Sequence, residues 1–313
     1  MSLLVPTQRD RVDSHEDLDQ DEIYFQNLLK LSESETYKHE FPWDFSPVDD
    51  YFVQSDHSKD DFSFRYTEEN FGVTKPWSTI IQEIKELNKN APPNVSYKVL
   101  FLARHGEGWH NIATSKYSKD DWFAKWRFVG TDGEISWGPD ANLTELGIDQ
   151  ALENKQAWNQ QLDNGAPLPS KFYVSPLQRS LRTLQYTWED QPIPQPIVLE
   201  HLRETIGVHL CHQRSKKSEI KSQFPMVDFE EDFPEHDELA EKFSKKREEL
   251  NEQFLRINKV LQDIFTKDKD HQFISITSHA GTIRAFITVI GHRKFTIPTG
   301  GMIPIVVKGT RKN

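Results

Sequence analysis

From about residue 97 onward, short apolar runs rich in β-branched residues alternate with longer stretches of helical spacing. The runs predict strands at 97–103 ("YKVLFLA"), 171–174 ("KFYV"), 197–199 ("IVL"), 272–277 ("QFISIT") and 302–307 ("MIPIVV"). Between them the pattern predicts helices at about 144–163, 177–189, 236–266 and 281–290, the third read as one amphipathic crossover with a solvated face. Strands joined by helical crossovers imply an α/β fold, a mostly parallel sheet with helices on both faces. Ligands of such sheets sit outside the carboxyl ends of the strands. The first strand ends at Arg104-His105, the second at Ser175 and the fourth at Ser278-His279, so three polar clusters fall on one rim.

The first 95 residues read differently. Residues 1–22 are polar and acidic and are expected to form a flexible arm. Residues 23–95 are too aromatic for a linker ("HEFPWDFSPVDDYF", "DDFSFRYTEENFG") and are expected to pack on the core as an N-terminal extension. Within them "WSTIIQEIKELNKN" at 77–90 has helical spacing, broken by "APPN". The main domain is expected at 96–313, with cap insertions at about 115–140 and 208–235. No internal repeat is present.

Composition narrows the function classes. A chain of 313 residues can bury a sizeable core, and its formal net charge of −11 argues against a nucleic-acid partner. An anionic substrate remains compatible, because a local cluster of Arg and His can hold phosphate inside an acidic protein. Cys211 is the single cysteine, so no internal disulfide is expected. The charged N-terminal region does not read as a secretory signal, and the apolar runs are too short to cross a bilayer. A cytoplasmic protein without a membrane partner is expected, the nucleus being left open; oligomeric state is not legible.

Four separated pieces carry candidate chemistry: "LARHGEGWHN" after the first strand, "VSPLQRSLRT" after the second, "LEHLRETIG" after the third and "ITSHAGTIRA" after the fourth. Phosphate monoesters are dianions, so their transfer depends on positioning and charge neutralisation. Arg104 and Arg179 offer planar forks for phosphate oxygens, and backbone amides after residues 105 and 279 would add neutral donors. Together with "NLTELGIDQA" at 142–151, and in this order and spacing, these pieces resemble the phosphoglycerate-mutase-like branch of the histidine phosphatase superfamily, in the form of the fungal phosphomutase-like phosphatases. The resemblance spans about residues 97–307 and implies the family's three-layer sandwich.

It also implies roles. His105 would attack phosphorus as a neutral imidazole and become a phosphohistidine. His279, if protonated, would donate to the equatorial oxygens, and Asn111 would add a further donor. Gly108 and Ala280 are counted with Arg104, Asn111, Arg179 and His279 among the residues meeting phosphate or substrate. Some members carry an aspartate directly after the second histidine as proton donor; here it is Ala280. Glu204, where the mutase-like branch keeps a glutamate, is expected to act as general acid and then general base. That role calls for a pKa raised by burial. Glu107 is its competitor.

Elsewhere the residues leave alternatives. Gly108 replaces the family's frequent serine, which puts specificity in doubt; His110 is read as packing or supporting rather than touching substrate. "HLCH" at 209–212 lacks a second ligand pair, so no metal is assigned, and the family places this segment at the pocket entrance. Arg214, Lys216 and Lys217 would either meet a second charged group of the substrate or lie in a solvated loop. Trp122, Phe123, Trp126, Phe128 and Trp137 would either cap the site or simply pack. The implied activity is a metal- and cofactor-independent phosphatase acting on a small phosphorylated metabolite. A phosphomutase and a non-catalytic binding module on the same fold are the alternatives. Against a mutase, only "KGTRKN" follows the last strand, leaving no C-terminal lid, although the N-terminal region could substitute.

Overall fold

Alternation along the second strand organises the molecule. The computed structural model of the chain describes residues 1–15, 18–32, 34 and 39–312. Its strands are β1 (Trp43–Pro47), β2 (Val95–Arg104), β3 (Lys171–Val174), β4 (Ile197–Val198), β5 (Asp228–Phe229), β6 (Phe273–Ser278) and β7 (Met302–Arg311). In β2 successive side chains face opposite sides of the sheet. Lys98 lies over the ring of Phe265, while Phe101 meets Trp77 and Trp158. Helix Leu250–Lys267 therefore covers one face, and helices Trp77–Asn90 and Glu145–Asp163 cover the other. This is the expected three-layer α/β sandwich.

The sheet runs in the order β1-β7-β2-β6-β3-β4-β5. β2, β6, β3, β4 and β5 are parallel neighbours, whereas β7 pairs antiparallel with β2 and with β1. Helices Gln178–Trp188 and Ala280–Ile290 start just after β3 and β6, which points their N-termini at the same rim. Gly291, at φ 78°, ends the second of these in the left-handed conformation.

The structure corrects three expectations. Residues 1–15 and 18–22 are not a loose arm: helices Gln8–His15 and Leu18–Ser32 form there, with Leu4 and Asp10 buried. The extension does more than pack, since β1 joins the sheet edge. Its sequence "WDFSP" hides this, because an edge strand alternates, needs only Trp43 and Phe45 inward, and tolerates a proline. The helix expected over 236–266 is broken into Glu238–Lys242 and Leu250–Lys267. Between them Glu248 leaves the helical path to accept from the Ile206 amide at 3.0 Å and to pair with Arg256 at 2.6 Å. In addition, part of the expected insertion at 208–235 belongs to the sheet, as β5. No helix among the described residues is long and apolar enough to cross a membrane.

Phe101 is fully buried where the central strand meets Trp77 of the extension and Trp158 of the main domain. Phe101→Ala is expected to cost about 3–5 kcal/mol in denaturant unfolding, in a single transition if extension and domain share one core.

Candidate active site

Parallel pairing of β2 with β6 sets Arg104 opposite Ser278. The next residues, His105 and His279, therefore leave the sheet side by side, with ring centroids 5.0 Å apart. The His105 amide donates to the Ser278 carbonyl at 3.0 Å, which fixes that crossing point. Pairing of β3 with β6 brings Ser175 alongside, its Oγ 2.7 Å from His279 Nε2. Arg179 enters from the first turn of helix Gln178–Trp188. Four candidates from three separated segments thus share one buried site: Arg104, His105, Arg179 and His279 are each at most 4% exposed.

His105 Nδ1 lies 2.7 Å from the Gly106 carbonyl, which can only accept. The ring proton is therefore on Nδ1, and Nε2 keeps its lone pair. Arg179 Nε donates to that Nε2 at 3.3 Å, and its Nη1 donates to the Cys211 carbonyl at 3.0 Å. Arg179 Nη2 and His279 Nδ1 are buried without a hydrogen-bond partner among the described residues. Buried polar atoms left without a partner are costly unless a ligand meets them. Burial, then the charges of Arg179 and Arg104, holds His105 well below the ordinary imidazole pKa. His279 is pushed down by burial, Arg179 and His105. A phosphate dianion between the rings would act in the opposite direction.

Arg179 and His279 lie buried beside His105, and Arg104 and His105 border a cavity of about 800 Å³. Its lining includes Arg104, His105, His110, Asn111, Glu204 and Ala280 from the sequence reading, and Arg9, Asp13, Arg247 and Arg284, which that reading did not single out. The backbone amides after residue 105 do not behave as expected. Those of Gly106, Glu107 and Gly108 are taken by Thr183 Oγ1, Gln150 Oε1 and Asn111 Oδ1. Gly108 is absent from the cavity lining. A Cβ there would come within 2.7 Å of His110 Nδ1, so the missing serine side chain and the presence of His110 are one feature. His110 lies 5.3 Å from His105, ring to ring, and lines the cavity directly.

Glu204 is held at the cavity wall by the Thr205 amide at 2.9 Å and the Gly281 amide at 3.3 Å. Any Cβ on residue 281 would collide with its carboxylate. Beneath it Arg203 bonds Glu200 and Asp237 at 2.7 and 2.6 Å, and Arg214 bonds Glu200 at 2.7 Å. The expected upward shift of Glu204 is reversed. Burial does push its carboxyl up, but the Thr205 amide and the charges of Arg247, Arg284 and Arg179 bring it below the ordinary value. Asp13, in the same cavity, is raised by burial against the pull of Arg104 and Arg9. Glu107 bonds Thr144 Oγ1 at 2.8 Å, away from the cavity, and drops out as competitor.

Arg214 is buried in structural contacts, and it, Lys216 and Lys217 are absent from the lining, so the second cationic region comes from Arg9, Arg247 and Arg284 instead. In the insertion Trp122 and Phe123 line the cavity, while Tyr117, Trp126 and Trp137 pack beside them, so both expectations hold for different residues. His209, Cys211 and His212 come together with candidate ligand atoms within 4.8 Å. The nearby Arg247 and Arg179 give this corner a positive field, which suits an anion better than a cation.

His105, His209, His212 and His279 are all buried with lowered pKa values, His209 down to about 3, chiefly through burial. Below the unfolded-state value of about 6.5 the unfolded chain binds protons that these rings refuse, so stability is present above that pH and lost as pH falls through it. Each ring can contribute a slope of at most about 1.4 kcal/mol per pH unit. Denaturant midpoints are expected to fall between about pH 6.5 and 5, and inorganic phosphate to restore part of the loss. Midpoints flat over this range would contradict neutral burial of the rings.

A family model described as "Histidine phosphatase superfamily (branch 1)" matches residues 100–298. The chain is 38% identical over 285 residues to "Probable phosphoglycerate mutase" of Arthroderma benhamiae, covering 84% of each chain. It is 35% identical over 267 residues to "Phosphomutase-like protein 3" of Candida albicans, covering 84% of this chain and 79% of that one. With the "Probable phosphoglycerate mutase PMU1" of Saccharomyces cerevisiae the identity is 30% over 257 residues, 75% of this chain and 85% of the relative. The two histidines delivered level by adjacent parallel strands both lie within the matched span, and the chain belongs to the histidine phosphatase superfamily, branch 1.

Proposed function

We propose that the protein hydrolyses a phosphate monoester of a small metabolite through a phosphohistidine on His105. The observation that carries this reading is the His105 ring itself, with Nδ1 committed to the Gly106 carbonyl and the unprotonated Nε2 directed at the Arg179 guanidinium, where a phosphoryl group would take the place of that contact. Arg104, Arg179, His279 and Asn111 bind the phosphoryl oxygens. The Nε2 lone pair attacks phosphorus as the bond to the ester oxygen breaks. Glu204 gives its proton to the departing alkoxide, then takes one from the water that attacks the phosphohistidine. The P–N bond breaks, and phosphate and neutral His105 result.

In the free protein the Glu204 carboxyl is held below its ordinary value by the Thr205 amide and the charges of Arg247, Arg284 and Arg179, so its acid role calls for a proton gained with the substrate. A bound dianion offsets the arginine field and repels the carboxylate, and both effects raise its pKa. With Glu248 paired to Arg256 and Glu249 to Lys246, the lining sets Arg9, Arg104, Lys119, Arg247 and Arg284 against Asp13 and Glu204. This favours a leaving group that itself carries negative charge. A phosphomutase is the second reading, supported by the relatives' names and by the wall that helix Gln8–His15 contributes to the cavity.

A panel of phosphomonoesters with neutral and anionic leaving groups is expected to release inorganic phosphate, faster for the anionic ones. Transfer to a second hydroxyl without free phosphate would favour the mutase, and no turnover on any of them would end both readings. His105→Ala should cut turnover by about 1,000-fold or more and abolish the acid-labile phosphoenzyme; a labelled, active variant removes His105 as nucleophile.

Glu204→Gln should slow alkyl phosphates by about 100-fold or more and aryl phosphates with good leaving groups far less. Equal slowing of both, or the same selectivity in Asp13→Asn instead, takes the acid role away from Glu204.

A further inference from the structure

Helix Gln8–His15 opens on "TQRD", a capping box. The Thr7 amide donates to Asp10 Oδ2 at 2.8 Å, and the Asp10 amide donates back to Thr7 Oγ1 at 3.2 Å. That leaves Asp10 Oδ1, which accepts from Arg104 Nη1 at 2.5 Å. Both groups are buried, Asp10 at 5% and Arg104 at 4% exposure. The helix is pinned on either side. Ser2 Oγ donates to Glu153 at 2.5 Å, and His15 lies 2.7 Å from Asp61.

The two partners differ in what they face. Arg104 lines the cavity, whereas Asp10 does not, so the carboxylate meets the guanidinium from behind. Arg104 Nη1 also donates to the Ile297 carbonyl at 2.7 Å, so both its hydrogens are committed away from the cavity. Arg104 Nε has no partner among the described residues. A long side chain at a strand end would otherwise sample many rotamers, and fixing one nitrogen fixes the plane of the whole fork.

We propose that Asp10 is a positioning residue of the phosphate site: it holds the Arg104 fork in the orientation that presents its remaining donors to phosphate, which makes the N-terminal helix a component of the active site. The proposal rests on Arg104 as a phosphate-binding residue. A carboxylate competing with phosphate for Arg104 is the opposite expectation, and the two differ in sign.

The test uses full-length protein, inorganic phosphate binding by calorimetry, and p-nitrophenyl phosphate kinetics. Asp10→Asn should weaken phosphate binding by about tenfold, the scale of one charge-assisted hydrogen bond, with KM rising accordingly. Asp10→Glu, which keeps both the charge and the capping box, should recover most of the binding. Thr7→Ala, which breaks the box but leaves the charge, should lose less than Asp10→Asn. Unchanged or tighter phosphate binding in Asp10→Asn overturns the proposal, as does a Thr7→Ala loss equal to that of Asp10→Asn. A wild-type protein that binds no phosphate and turns over no ester overturns the phosphatase reading and this proposal together; normal wild-type binding with an indifferent Asp10→Asn overturns this proposal alone.

Discussion

The register between β2 and β6 is the constraint on which the site depends. Because Arg104 pairs with Ser278, two histidines 174 positions apart in sequence emerge level, with rings 5.0 Å apart. A slip of one residue would turn every side chain of one strand to the other face, burying a charge and exposing the core. The apolar alternation of β2, with Lys98 toward one helical layer and Phe101 toward the other, therefore secures core and site at once. Packing and chemistry share a single determinant.

The site concentrates groups that oppose folding. The guanidinium groups of Arg9, Arg104, Arg247 and Arg284 line the cavity and that of Arg179 contacts His105, whose ring, like that of His279 beside it, is held well below the ordinary imidazole pKa. Arg179 Nη2 and His279 Nδ1 lack partners among the described residues. The compensation lies just outside. Glu200, Asp237 and Glu248 pair with Arg203, Arg214 and Arg256 under the Glu204 turn, and Asp10 pairs with Arg104. This outer ring of satisfied ion pairs holds the inner ring of unsatisfied polar atoms in place. Breaking one buried pair leaves an uncompensated charge, so its members are sensitive positions although they lie outside the cavity.

What was hard to read in the sequence has identifiable physical causes. Arg247 lies in a charged run that matches a solvated helix, and only the break between Lys242 and Leu250 turns it to the cavity. Arg214 looked like a substrate contact because sequence reports a charge and not its partner; Glu200 lies 14 positions away. Glu204 has the burial expected to raise its pKa, but the opposing cations come from three distant segments. The acidic composition of residues 1–22 pointed to a flexible arm, whereas the Thr7–Asp10 capping box opens an ordered helix there.

The sequence by itself determined the α/β class and the strands that carry the candidate residues, and it offered Arg104, His105, Arg179, Glu204 and His279 as candidates whose roles the family resemblance implies. Those follow from local periodicity and from short motifs whose residues lie beside one another in the chain. Only the tertiary structure decided which charges meet: that Asp10 stands behind Arg104, that Arg9, Arg247 and Arg284 rather than Arg214 border the cavity, and that Arg247, Arg284 and Arg179 draw the Glu204 carboxyl below its ordinary value. Electrostatic interactions depend on distance and burial, and both are properties of the packed chain that no local pattern encodes.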